Sequence, residues 1–344
     1  MFVLLSFAGA LQLDGFVASD MWVQRWKKRH GISTRRSTSI SQKVPGEFRD
    51  LLFNFRRAVL LLRRQHDYPL NCVMNMDQTM VRFDMRPERT NDKKGCRQVR
   101  TKTTRAEKRG FTVALFVAAD GTKFPAMIVF KERNGRIPPR VYQQLQVPDN
   151  VRVHATRNGW MTREAVMVWI RRVLGRADER RLLVLDSYPA HGTQEVREAL
   201  LECNVDVVYI PGGCTPLAQP VDVSIAKPFK DAMRDNWVTW MREDRPLTAA
   251  GNLTQPTRQD VISWVGRAWH SVRPDIIVTA FKRCAISNAM DGSEDDQTLE
   301  WFPENIVAHL PDAPGYREEE EEEGDEDTEE EEGEEGKDFF GFDE

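Results

Sequence analysis

Two aspartates stand where apolar segments stop, Asp77 after Cys72–Met76 and Asp186 after Leu182-Leu183-Val184-Leu185, and the loop Pro211–Pro220 leads to a third, Asp222. Carboxylates converging on one point suit hard divalent cations, and a pair of such cations can contact both the attacking and the leaving oxygen in phosphoryl chemistry. Strand ends are a natural place to gather them. An acid directly behind four apolar residues is poorly explained by packing. Each acid taken alone also reads as a turn or cap residue, and spacing does not show that the strands carrying them are neighbours. Two other aspartates have simpler readings, because Asp120-Gly121 and Asp149-Asn150 are turn pairs.

The surrounding pattern predicts the elements that must position these acids. Cys72–Met76, Phe111–Ala118 and Phe124–Phe130 are strand-like. The last two flank Asp120-Gly121, a hairpin signal, and so predict the antiparallel side of a mixed sheet. After a predicted helix over Thr162–Leu174, the strand Leu182–Leu185, helix Thr193–Cys203 and strand Val205–Ile210 form a βαβ unit. Its parallel strands set Asp186 and the loop after Ile210 at one edge. Ile225, Phe229, Met233 and Trp237 recur every four residues as a helical stripe, with Pro228 expected to kink or delay its start. Further helices are predicted over Arg258–His270 and Pro274–Cys284. Upstream, Ser19 can cap a short helix to about His30, stopped by Gly31, with Trp22, Val23 and Trp26 on one face and Arg25, Lys28 and Arg29 on another. A second helix carrying Phe48, Leu52, Phe55 and Val59 leads to Pro69.

With 344 residues and 40% hydrophobic content the chain can bury a sizeable core. Its formal charge of -4 conceals an uneven distribution, since eighteen of the acids and one lysine lie in Glu318–Glu344. That segment carries about -17, leaving the rest near +13. A basic body suggests a polyanionic partner, and the acidic tail is a screen, a docking surface or a solvated run without a role. Pro311, Pro314 and Gly315 mark the linker into that tail, which its composition predicts to be disordered. Five cysteines show no close pair and no zinc-site spacing, which fits a reducing, intracellular setting. The apolar opening Met1–Leu13 is too short for a membrane span and lacks a basic leader, so no membrane association is expected.

Asn75-Met76-Asp77-Gln78-Thr79, Leu185-Asp186-Ser187-Tyr188-Pro189-Ala190-His191 and Leu217-Ala218-Gln219-Pro220-Val221-Asp222 resemble, in that order, the three signature blocks of pogo/Tigger-type DDE transposases. Lesser matches include Phe111-Thr112-Val113, Gly159-Trp160-Met161, Lys227-Pro228-Phe229-Lys230 and Ile286-Ser287-Asn288, so the resemblance covers about residues 70–295. It implies an α/β fold: a ribonuclease-H-like mixed sheet flanked by helices. It also implies Mg2+ (or Mn2+) held by Asp77, Asp186 and Asp222 as catalytic acids, for DNA nicking followed by strand transfer. Phe16–Arg36 resembles the end of the second helix-turn-helix repeat of this family and of centromere protein B. Arg25, Lys27, Lys28, Arg29, Arg35 and Arg36 are therefore candidate DNA contacts. Lys227 and Lys230 read either as phosphate contacts or as solvated helix charges, and His191 reads as a structural histidine. Met80, Arg105 and Ala285 depart from the family's usual Pro, Gly and Gly.

The resulting division is a helix-turn-helix remnant with a linker helix over 1–68, a DDE ribonuclease-H-like domain over 69–295, and a linker with a disordered acidic tail over 296–344. Two functions follow as expectations. One is a transposase-derived DNA-binding protein with a metal-dependent endonuclease and strand-transfer domain. The other is a domesticated, catalytically silent DNA- or chromatin-binding protein that keeps the fold as a scaffold. Both place the chain in the nucleus, with DNA as partner, chromatin proteins at the acidic tail and a second copy as a homodimer.

Overall fold

Period-two alternation along the strands sorts their side chains onto the two faces of one sheet. The computed structural model describes residues 20–29, 48–85, 104, 106, 108–243, 247–248, 253–294 and 297–298. It forms two units, residues 1–43 and 44–344. In the larger unit, β1 (Val73–Arg82), β2 (Gly110–Ala118), β3 (Ala126–Lys131), β4 (Val151–Thr156), β5 (Arg181–Asp186) and β6 (Val205–Ile210) lie in the order β4-β3-β2-β1-β5-β6. β2 is antiparallel to both its neighbours, and the remaining pairs are parallel. Five strands therefore share one direction, and their carboxyl ends share one sheet edge.

On one face Val73, Val113, Leu115, Leu182 and Val184 join a core with α2 (Phe48–His66), α7 (Ala226–Arg242), α8 (Arg258–Ser271) and α9 (Pro274–Arg283). On the other, Met74, Met76, Phe116, Leu183 and Leu185 pack with α4 (Arg163–Trp169) and α5 (Gln194–Glu202). Local chemistry sets several boundaries. Thr162 caps α4 by accepting from the Ala165 amide, and Thr257 opens α8 in a reciprocal capping box with Asp260. The hairpin between β2 and β3 turns at Asp120-Gly121 as expected, with Gly121 at φ +96° and Asp120 accepting from the Thr122 amide at 2.8 Å. Two further elements, α3 (Pro139–Gln144) and α6 (Thr215–Ala218), are short connectors.

The structure corrects four expectations. Asp77 does not close its strand, because β1 continues to Arg82, paired with β2 throughout. β4 is a strand that sequence reading passed over, although Val151, Val153 and Ala155 alternate with Arg152 and His154. Pro228 does not delay its helix, for α7 begins before it at Ala226, directly after a π-type turn over Val221–Ile225. α2, grouped on sequence with the N-terminal remnant, packs into the sheet unit. Leu52, Phe55 and Val59 are buried there, and Arg63 donates to the carbonyls of Ile286 and Asn288 at 3.0 and 2.9 Å.

In the smaller unit, α1 (Asp20–Arg29) stacks Trp22 on Trp26 with ring centroids 6.4 Å apart, and exposes Arg25, Lys28 and Arg29. The Lys27 side chain, Arg35, Arg36 and the acidic tail lie outside the described residues. Among the described residues Cys72, Cys203, Cys214 and Cys284 are buried thiols outside any disulfide, and no helix is long and apolar enough to cross a membrane.

Candidate active site

Strand register brings two of the acids to one sheet edge, and the third follows on a segment packed against it. β1 pairs with β5 only over Val73–Asn75 against Leu182–Val184, so Asp77 lies beyond the last such pair, close to where β5 ends at Asp186. Alternation puts Asn75, Asp77 and Asp186 on the face that α7 covers. Asp186 is paired with Ile210, where the chain leaves β6. It returns after Pro220 in the π-type turn that carries Asp222 and packs against β1.

A buried amide pair fixes that return. Asn75 and Gln219 are fully buried, and Asn75 Nδ2 donates to the Val184 carbonyl at 2.9 Å and to Gln219 Oε1 at 2.5 Å. Asn75 Oδ1 accepts from the Val221 amide at 3.2 Å. One side chain thus ties β1 to β5 and to the segment bearing Asp222. Gln219 also faces Asp77 and favours its charged form, although its Nε2 completes no well-formed hydrogen bond.

The acids strain against one another. Burial, and then the negative charges of Asp222 and Asp186, hold the Asp77 carboxyl well above the ordinary carboxylate range, against an opposing hydrogen bond from the Gln78 amide at 2.7 Å. Asp222 stands exposed at the rim, yet loss of hydration at its carboxyl end raises it too, with Lys230 opposing. Two adjacent carboxyls cannot both ionise cheaply without a counter-charge. Lys230 supplies part of one. Its ammonium faces Asp222 and Asp77, whose charges resist the lowering that burial imposes on it. Lys227, by contrast, is exposed and pairs with Asp231 at 2.9 Å. Of the two lysines predicted from sequence, only Lys230 reaches the acids.

Asp186 has its own neighbour. Its Oδ1 lies 2.6 Å from His191 Nδ1, off the line of a good hydrogen bond. His191 is fully buried, its Nε2 is 2.8 Å from Gln78 Nε2, and its carbonyl accepts from the Tyr209 hydroxyl at 3.0 Å. Among the described residues no three His, Cys, Asp or Glu side chains converge closely enough to form a ready-made metal cluster. The donor set nonetheless fits a hard divalent cation, being three carboxylates that repel one another, with Asp186 Oδ1 lacking a well-aligned donor. Sequence reasoning missed the roles of Asn75, Gln78 and Gln219. The available signal was an amide inside the apolar run Cys72-Val73-Met74-Asn75-Met76.

Residues 108–281, half of the chain, match the DDE superfamily endonuclease family. The chain belongs to that family. Asp186 and Asp222 lie within the matched stretch of this DDE superfamily endonuclease, and Asp77 precedes it. Residues 3–36 match the Tc5 transposase DNA-binding domain, which agrees with the helix-turn-helix resemblance. Among curated relatives, the human protein "Pogo transposable element with KRAB domain" is 33% identical over 287 residues, covering 82% of this chain and 46% of the relative. CENP-B homolog protein 2 of Schizosaccharomyces pombe is 25% identical over 281 residues, covering 78% of this chain and 51% of the relative. These bear out the pogo-type resemblance, and the chain spans about half the length of the curated relatives it matches. The crystal structure of the mariner Mos1 paired end complex with Mg superposes with a TM-score of 0.50 at 11% identity, over 83% of this chain and 72% of that one. The shared feature is the ribonuclease-H-like fold, a mixed sheet flanked by helices.

Proposed function

We propose that this DDE superfamily endonuclease is a transposase-derived DNA-binding protein of the nucleus. In this reading Asp77, Asp186 and Asp222 hold Mg2+ or Mn2+ for hydrolysis and transfer of DNA strands. The observation that carries it is geometric: β1 and β5 run parallel side by side, so Asp77 and Asp186 lie near one sheet edge, and the turn bearing Asp222 packs against β1. A bound divalent ion would neutralise them and polarise a phosphoryl oxygen or a water. The chain's own residues divide the remaining work. His191 orients Asp186, the Asn75–Gln219 pair holds the segment of Asp222 against β1, and Lys230 offers a positive group to the acid pair. The exposed cations of α1, with the Tc5-type match around them, support duplex binding through phosphate. A homodimer and chromatin partners for the acidic tail belong to the same reading.

A second reading, a catalytically silent DNA- or chromatin-binding scaffold, draws on the acidic run Glu318–Glu344 as a docking surface for chromatin proteins. Incubation of the purified protein with supercoiled plasmid separates the two. The enzyme reading expects nicked circles with Mg2+ or Mn2+, none with a chelator, and none from Asp186→Asn. Plasmid that stays supercoiled while the protein binds DNA and takes up metal would favour the scaffold.

A further inference from the structure

Tyr188 is an aromatic side chain left 40% exposed two residues beyond Asp186, within the same sequence block. No more than about 7 Å of extended chain separates the two Cα atoms. Two contacts define its setting. The Tyr188 carbonyl accepts from the His191 amide at 2.8 Å, closing a turn, and the Tyr188 ring meets the His191 ring edge-on, with centroids 5.6 Å apart at 74°. His191 is itself fully buried between Asp186 and Gln78, the residue after Asp77. The orientation of the tyrosine is thus tied to the groups that position two of the three acids. An isolated exposed aromatic is ordinary on a protein surface. One braced on its edge against the acids' own support keeps the rest of its surface open beside them.

We propose that Tyr188 is a stacking surface for an unpaired nucleobase at the mouth of the acid site, an inference that rests on the DNA reading above. Every base has a flat π-face, and an aromatic ring binds it with little regard to sequence. Within a duplex those faces are covered by neighbouring base pairs, so only a base that has left the stack can use the ring. A strand whose phosphate lies at Asp77, Asp186 and Asp222 has its adjacent nucleotide within reach of Tyr188. The ring then holds that base out of the helix and keeps the strand open at the acids. The substrate class is therefore DNA with an unpaired or frayed nucleotide beside the reacting phosphate, in preference to fully paired duplex.

The test uses the full chain, Mg2+, and two fluorescein-labelled duplexes of one sequence. One is blunt, and the other ends in a two-nucleotide overhang carrying 2-aminopurine, whose emission falls on stacking. Anisotropy reports overall binding, and 2-aminopurine emission reports the shelf. The wild type and Tyr188→Phe should quench 2-aminopurine and prefer the overhang. Tyr188→Ala and Tyr188→Leu should lose the quenching and about tenfold of overhang affinity while binding the blunt duplex unchanged. Tyr142→Ala, which removes another exposed tyrosine (41%) from α3, should match wild type. Quenching that survives in Tyr188→Ala, or full rescue by the non-aromatic Tyr188→Leu, overturns the proposal. Wild type that binds neither duplex overturns the DNA reading itself, and the blunt arm reports that separately.

Discussion

Asn75 and Gln219, 144 positions apart in the chain, meet fully buried through a 2.5 Å hydrogen bond from Asn75 Nδ2 to Gln219 Oε1. Removing Asn75 also strands the Val221 amide that it accepts from, and each buried polar group left without a partner is costly. Asn75→Ala is expected to lose about 3 kcal/mol in urea unfolding. Gln219→Ala should lose about half as much, and the double mutant should fall short of the sum by about 1 kcal/mol. Strictly additive losses would mean that the two amides do not act together.

The acid site predicts opposite behaviour for two aspartates. Asp222→Asn relieves repulsion with Asp77 and should leave the metal-free protein as stable as wild type or more so, while abolishing most of the rise in melting temperature on adding Mg2+ or Mn2+. Asp120→Asn should retain that rise, because Asn can still accept from the Thr122 amide in the turn. Thermal melts with and without metal decide it. A full metal shift in Asp222→Asn would remove that residue from the site.

Ala285 is a non-glycine residue at φ +57°. It follows α9 in a left-handed stop, with the Ile286 amide donating back to the Phe281 carbonyl at 3.0 Å. A Cβ in that conformation costs about 1 kcal/mol, so Ala285→Gly should stabilise the protein by about that amount. Differential scanning calorimetry should show a rise of about 2–4 °C, and a fall would mean that the methyl group packs usefully.

Asp206 receives a paired contact from Arg180, at 2.5 and 2.8 Å, and a hydrogen bond from the Tyr68 hydroxyl. The Arg180 hydrogen bond, against burial, holds the Asp206 carboxyl below its ordinary range. A carboxylate depressed in the folded state adds stability above its unfolded pKa of about 3.9, and loses it as pH falls through the folded value. Asp206→Asn should therefore melt below wild type at pH 7, with the gap closing as pH drops below about 4. A gap that widens in acid would reverse the assignment.

The DNA-binding reading proposed above expects the cations of α1 and the following Arg35 and Arg36 to contact phosphate. Deleting residues 1–40 should flatten the plot of log affinity against log salt by roughly 0.9 per lost phosphate contact. An unchanged slope would exclude this segment from the interface.

Much of this protein was legible in local pattern, because hydrophobic period and turn chemistry act over a few residues. Asp120-Gly121 marked its hairpin, the run ending at Asp186 marked a central strand, and the four-residue stripe from Ile225 marked α7. The three acid blocks were readable in order. Tertiary structure decided how they meet, since that depends on register between strands far apart in sequence. β1 outruns its pairing with β5, so Asp77 reaches the edge from mid-strand. Lys227 and Lys230 look alike in sequence, yet α7 packs so that one faces Asp231 and the other the acid pair. The partners of Asn75 and His191, and the place of α2 in the sheet's core, likewise follow from long-range packing, which no local period encodes.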